Sequence, residues 1–236
     1  MQEAEFDKFA DEYHRLHQES IGASGEDPEY FFAYKIRDLL LESTKRMSMH
    51  GRQMQVLDFG SGSGNSIPYI RDLFQGCSLT CADVSKRSLE LAAQRFPEQA
   101  NFVRLESSVL PFPDNSIDIV FAACVFHHID GHLHRPILSE WRRVLRPGGM
   151  AMLYEHNPLN ALTRRVVNSR AFDVNAKLIS GRAMKRNFFA AGFTGAEVSY
   201  RVYFPKSLRM LRPLERVLSG IPLGAQYYAV ALKGMC

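Results

Sequence analysis

The chain has 236 residues, 46% of them apolar and 23% charged, with a formal net charge of +4; this is the make-up of a folded globular protein, not of a disordered or fibrous one. No run of about 18 apolar residues occurs, which argues against a membrane-spanning helix, and the polar, acidic start MQEAEFDKFADEYHRLHQES is unlike a secretory leader. Cys77, Cys81, Cys124 and Cys236 have neither metal-site spacing nor a disulfide framework, so a cytoplasmic setting is expected, with Cys81 and Cys124 as buried strand thiols.

Phe6, Phe9, Ala10, Tyr13 and Leu16 recur at three- and four-residue steps and predict a first helix. A break over residues 22–28 separates it from a second helix near Glu29, carrying Phe31, Phe32, Ile36, Leu39 and Leu40, with Pro28 tolerated at its start. From Gln53 the chain alternates. Strands are predicted near 54–59, 78–83, 101–105, 117–124 and 149–155, helices near 64–75, 85–96 and 132–146, with Ser85 capping the second of these helices. Two late strands are read at 194–204 and 226–232. Between them, Leu208, Leu211, Leu214, Val217 and Leu218 are interleaved with Arg209, Arg212 and Arg216, and Pro213 divides the stretch into two short helices. Apolar strands alternating with helices predict an α/β fold, a parallel sheet covered on both faces. Three parts are expected: a helical cap over 1–50, a core over 51–155, and a C-terminal part of the same domain over 156–236.

Residues 56–65 read VLDFGSGSGN, and Asp83 ends the next strand. A strand entering a glycine turn, followed by a strand that ends on a carboxylate, describes a nucleotide pocket. Glycine admits close backbone approach, and the carboxylate accepts two ribose hydroxyls. Gly60, Gly62 and Gly64 are spaced G-x-G-x-G and not as the pyrophosphate fingerprint requires. Asp58, two residues before the first glycine, would repel a pyrophosphate but attract an amino-acid ammonium.

This turn resembles the first motif of class I S-adenosylmethionine (SAM) methyltransferases. Four further segments resemble later motifs of that family in the same order: LTCADV at 79–84, FVRLESSVLPFP at 102–113, SIDIVFAACVFHH at 116–128 and RVLRPGGMAML at 143–153. The resemblance implies a Rossmann-like sheet of seven strands, mostly parallel, with the last antiparallel. It also implies SAM as cofactor. Asp83 takes the ribose position, Val84 the adenine side, and Glu106 the place of an acid that reaches the adenine amino group; Ser107 stands where alanine is usual. Ser61, Ser108 and Ala123 complete the expected cofactor wall, and Tyr13 and Tyr30 fold over it, Tyr30 on the acceptor side.

Ligands of such sheets bind beyond the carboxyl ends of the strands, which brings His127, His128 and His156 to the transferred methyl. A hydroxyl acceptor benefits from a general base, and imidazole suits that role. His128 is the first choice and His127 the second; Glu155 and His156, after the fifth strand, would position or deprotonate the acceptor. Arg164, Arg165 and Arg170 are candidates for holding a phosphate or carboxylate on the acceptor. His128, His132 and His134 lack a completing thiolate or carboxylate, so no metal is expected. Asn157-Pro158 reads as a turn.

The expected function is methyl transfer to a small, possibly anionic molecule, at a hydroxyl oxygen of a sugar, quinone, phenol or lipid-linked metabolite. Residues 164–216 hold twelve Lys/Arg against three Asp/Glu, a balance that suits an anionic partner. Without interleaved aromatics this patch does not suit nucleic acid. Two other readings share parts of the pattern: an NAD-dependent dehydrogenase, and a non-catalytic SAM-fold protein that contacts an anionic membrane surface through residues 205–216.

Overall fold

The computed structural model describes residues 25–48, 52–169 and 175–235. The first predicted helix, Tyr13, Arg170 and Cys236 lie outside the described residues.

Helix α1 (Pro28–Arg46) opens with proline in its first turn and closes on Lys45 and Arg46, complementing the helix dipole. Next come β1 (Gln55–Phe59), α2 (Ile67–Leu73), β2 (Ser78–Asp83), α3 (Lys86–Arg95), β3 (Asn101–Arg104), β4 (Ile117–Ala123), a 3₁₀ turn at Phe126–His128, α4 (Gly131–Val144) and β5 (Leu145–His156). The chain ends with α5 (Ala161–Asn168), α6 (Gly181–Ala190), β6 (Thr194–Arg201), a 3₁₀ segment Lys206–Leu214, α7 (Glu215–Leu218) and β7 (Gln226–Leu232). Ser85 caps α3 as predicted, its side chain accepting from Ser88 N at 3.0 Å.

The helix predicted near 64–75 starts at Ile67, because 60–66 form the glycine turn. Strand β5 starts at Leu145, not 149: Leu145 already pairs with Ile117 of β4, and a bulge over Arg146 to Gly149 precedes the regular ladder that begins at Met150 opposite Ile119. In the 205–224 segment the first piece is 3₁₀, with Pro213 inside it, and the change to α-helix comes at Glu215.

The seven strands form one sheet in the order β3-β2-β1-β4-β5-β7-β6. Strands β1 to β5 pair in parallel, while β7 runs antiparallel to both β5 and β6. The period-two alternation of the central strands divides the core cleanly. Leu57, Phe59, Val120, Ala151 and Leu153 face Trp141 of α4 and Met184 and Phe188 of α6. Val56, Ile119, Phe121, Met150 and Met152 face Ile36 and Leu39 of α1 and Ile67 and Ile70 of α2. With both faces covered, the middle strands are almost continuously apolar.

Helix α1 is bound to the body by buried polar contacts as well. Asp38 accepts a bidentate pair from Arg201 of β6, at 2.7 Å from Nε and 2.5 Å from an η nitrogen, and also the hydroxyl of Tyr154 on β5. Glu42 accepts from the Tyr228 hydroxyl at 2.8 Å, and Arg46 pairs with Glu197 at 2.6 Å.

Candidate active site

The carboxyl ends of β1, β2 and β4 open into one cavity, closed on one side by α1. Its wall takes Asp58, Gly60, Ser61 and Gly62 from the first turn and Asp83 and Val84 from the end of β2. Ala123, Cys124, Val125 and His128 come from the end of β4 and the loop after it.

The glycines are required by geometry. Gly60 has φ +72°, and a Cβ there would stand 2.5 Å from Val125 Cγ2, so only glycine lets the turn pass under the β4 loop. Gly62 also has positive φ, +52°, but its missing Cβ meets nothing within 4 Å. Asp83 ties the two neighbouring loops together: one carboxylate oxygen accepts from Gly62 N at 2.8 Å, the other from Ser85 N at 2.9 Å.

Asp58 is buried and accepts a hydrogen bond from Ser66. Burial, with the charge of Asp83 adding to it, pushes its carboxyl up to about 7. Across the cavity wall stands Lys35 of α1, only 5% exposed. Its ammonium donates to Cys124 Sγ at 3.6 Å, lies 5.7 Å from the Tyr154 ring centre, and pairs with no carboxylate of the described residues. Sequence reading passed over it, although Phe31, Lys35 and Leu39 fall on one helical stripe and a lysine among apolar neighbours is a signal. Cys124 is corrected likewise: it is not a buried strand thiol but a half-buried residue on the cavity wall, at φ +61° where the chain leaves β4.

The histidines divide. His128 is on the wall. His127 is buried behind it, its Nδ1 2.6 Å from Glu155 Oε2. Glu155, also fully buried, accepts from the backbone N–H groups of Val125 and Phe126 at 3.1 and 2.7 Å. Burial alone would push the Glu155 carboxyl up. The positive charge and hydrogen bond of His127 outweigh it, helped by His156 and the Phe126 amide, and hold it below the usual glutamate range. An ionised carboxylate only accepts, so His127 Nδ1 carries the proton. Glu155 and His127 therefore fix the loop that presents His128, whose ring centre lies 4.1 Å from that of His127. His156 is buried, 5.3 Å from His127 between ring centres. His134 is structural, its Nε2 shared between the carbonyls of Phe126 and Ile129 at 3.0 and 2.9 Å.

Other predicted positions lie off the cavity wall. Glu106 and Ser107 are exposed and Ser108 half-buried; the preceding Leu105 lines the cavity instead. Gly64 is buried behind the turn, against Ile67 and Ala92. Tyr30 stacks under Arg212, 4.5 Å from the ring centre. Arg164 and Arg165 are exposed on α5. Asn157 is a turn residue, its amide donating to the carbonyls of Pro222 and Gly224 at 3.1 and 2.7 Å. Among the described residues, no group of three or more His, Cys, Asp or Glu is arranged to hold a metal ion.

Residues 57–153 match the methyltransferase domain family model. The chain is 27% identical over 194 residues to the ubiquinone/menaquinone biosynthesis C-methyltransferase UbiE of Azotobacter vinelandii, an alignment covering 78% of this chain and 70% of that protein. The matched core is that of a class I SAM-dependent methyltransferase. Two solved structures share the fold of this methyltransferase over nearly its whole length. One is a chain of the complex between the Haloferax volcanii Trm112 methyltransferase activator and the putative methyltransferase, with TM-score 0.67, 19% identity and coverage of 97% of each chain. The other is a SAM-dependent methyltransferase of Thermotoga maritima, possibly a histamine N-methyltransferase by its description, with TM-score 0.66, 20% identity and coverage of 98% and 99%. The dehydrogenase reading is thereby set aside.

The cavity of this methyltransferase suits SAM chemically. Asp83 offers acceptors for ribose hydroxyls, Asp58 a carboxylate for an ammonium and Lys35 an ammonium for a carboxylate, while Val84, Leu105 and Ile129 supply apolar wall for a base.

Proposed function

We propose that the enzyme methylates a small molecule bearing an aromatic hydroxyl, at that oxygen, with His128 as general base. The observation that carries this reading is the presence of His128 on the wall of the cavity that also holds Asp83, backed by a buried His127–Glu155 pair. Phe32, Ile36, Phe121 and Ile129 give the cavity the apolar sides that a ring needs.

When bound, SAM supplies a methyl group already activated on a sulfonium, so the protein's work is alignment, water exclusion and the handling of one proton. Asp83 and the Gly60–Gly62 turn hold the nucleoside, with Asp58 and Lys35 on its amino-acid end. The glycine turn and the β4 loop meet through Gly60 and Val125, which closes this side of the site to water. The His128 imidazole would accept the acceptor's hydroxyl proton, and Glu155, through the loop amides and His127, keeps that imidazole in place.

The name of the Azotobacter vinelandii relative favours a second reading, transfer to a ring carbon. Removal of a phenolic proton also raises electron density at the adjacent carbons, so the same base serves. The test is a panel of phenols, hydroquinones and nucleotide sugars with ¹³C-methyl SAM. A methoxy product supports the first reading and an aryl-methyl product the second. His128→Gln is expected to lower kcat by about 10²–10⁴-fold while leaving S-adenosylhomocysteine (SAH) affinity unchanged. Parental turnover in that variant would remove His128 from the chemistry.

A further inference from the structure

The segment between β6 and β7 is unlike the rest of the surface. The 3₁₀ stretch Lys206–Leu214 has nine residues and none is buried. Met210 is 88% exposed, Val217 82% and Leu223 61%, and Leu208, Leu214 and Ile221 are also open to solvent. Scattered single apolar residues need no explanation, but a run of them does. The end of the run is pinned by Tyr203, whose hydroxyl lies within hydrogen-bonding distance of the carbonyls of both Leu218 and Ile221, 2.5 Å from each. The run extends onto the loop after β5, where Asn160 donates to the Leu223 carbonyl at 2.8 Å and exposed Leu159 and Leu162 join it.

The charge within this segment is predominantly positive. Residues 206–223 carry Lys206, Arg209, Arg212 and Arg216, against Glu215 alone. Glu215 is buried and accepts from the backbone N–H groups of Tyr203 and Phe204. Arg212 is engaged by Glu26 and Tyr30, and Lys206 lies 3.8 Å from Asp27. Arg209 and Arg216 are exposed and form no ion pair among the described residues. Exposed apolar side chains between unpaired guanidiniums are the composition that inserts at a lipid interface, the apolar groups entering the acyl boundary and the cations meeting anionic headgroups.

Position adds the third element. Strand β7 begins at Gln226 opposite His156, the end of β5, so the loop feeding β7 lies at the carboxyl edge of the sheet. The cavity opens at that same edge. We propose that this face, centred on Met210, Leu214 and Val217 and flanked by Arg209 and Arg216, docks the enzyme on an anionic lipid surface. The mouth of the cavity is then held beside the bilayer, where an apolar acceptor is concentrated.

The test is co-sedimentation of the full chain with phosphatidylcholine vesicles, with and without phosphatidylglycerol. The chain is expected to pellet with the anionic vesicles and to be released as salt rises. Arg209→Glu with Arg216→Glu, and separately Met210→Asp with Val217→Asp, should each weaken that binding by at least about tenfold. Melting temperature and SAH affinity should stay those of the parent, since all four side chains are exposed. The proposal is overturned if the parent stays in the supernatant with anionic vesicles, or if both double variants pellet as it does. A lipid-free dimer that Met210→Asp with Val217→Asp dissolves would assign the face to a second copy of the chain, and would overturn it too.

Discussion

Asp58 is the residue where burial and function conflict most directly. Its carboxyl sits near 7 because the cavity end of β1 is closed to water and Asp83 stands close by. The folded state therefore binds a proton more tightly than the unfolded chain, whose aspartate keeps the ordinary value of 3.8. Stability attributable to this group falls as pH rises from about 4 to about 7 and is level beyond. Asp58→Asn should flatten that slope and raise the melting temperature of the ligand-free protein at pH 8. A cationic ammonium beside Asp58 favours the charged carboxylate, so cofactor binding at pH 7 is expected to release a fraction of a proton from the parent and less from Asp58→Asn. Calorimetry in buffers of differing ionisation enthalpy measures that difference, and affinity should fall by about tenfold in the variant. Identical proton release in the two proteins would show that Asp58 does not meet the ammonium.

Helix α1 is fixed to the sheet by packing and by buried polar contacts together. Sequence reading expected residues 1–50 to form a helical cap; within the described part of that segment α1 both walls the cavity, through Phe32, Lys35 and Ile36, and packs into the body. Ile36 and Leu39 are in the core, and Asp38 is bound to Arg201 and Tyr154. Removing the carboxylate strands a guanidinium whose side chain is only 22% exposed and a buried hydroxyl. Asp38→Ala should therefore cost about 3 kcal/mol or more, visible as a lower urea midpoint. A midpoint within error of the parent would mean that packing alone holds α1. This helix also marks where legibility ended. The core strands were readable because β1, β4 and β5 are nearly continuous apolar runs, and Asp83 because a carboxylate ends β2. The Asp38–Arg201 pair was not, since its partners are 163 positions apart. The burial of His127 against Glu155 was hidden for the same reason, the contact spanning 28 positions. Helix α6 had a readable cap in Ser180, which accepts from Ala183 N, and an apolar pair in Met184 and Phe188, and was passed over.

For the whole molecule, one edge of the sheet gathers everything that bears on function. The glycine turn, Asp83, Lys35, His128 and the exposed arginine-flanked apolar loop come from five separate parts of the chain, and parallel topology delivers four of them to the carboxyl ends of strands. Among the described residues no helix is long and apolar enough to cross a membrane. The nucleoside-holding role proposed for Asp83 is the central claim, because every other assignment is placed relative to it. Titration of SAH into the parent and into Asp83→Ala, with both proteins shown folded by thermal melting, tests it most directly. Loss of two charge-assisted hydrogen bonds should raise the dissociation constant by about 100-fold; an unchanged constant would contradict the account.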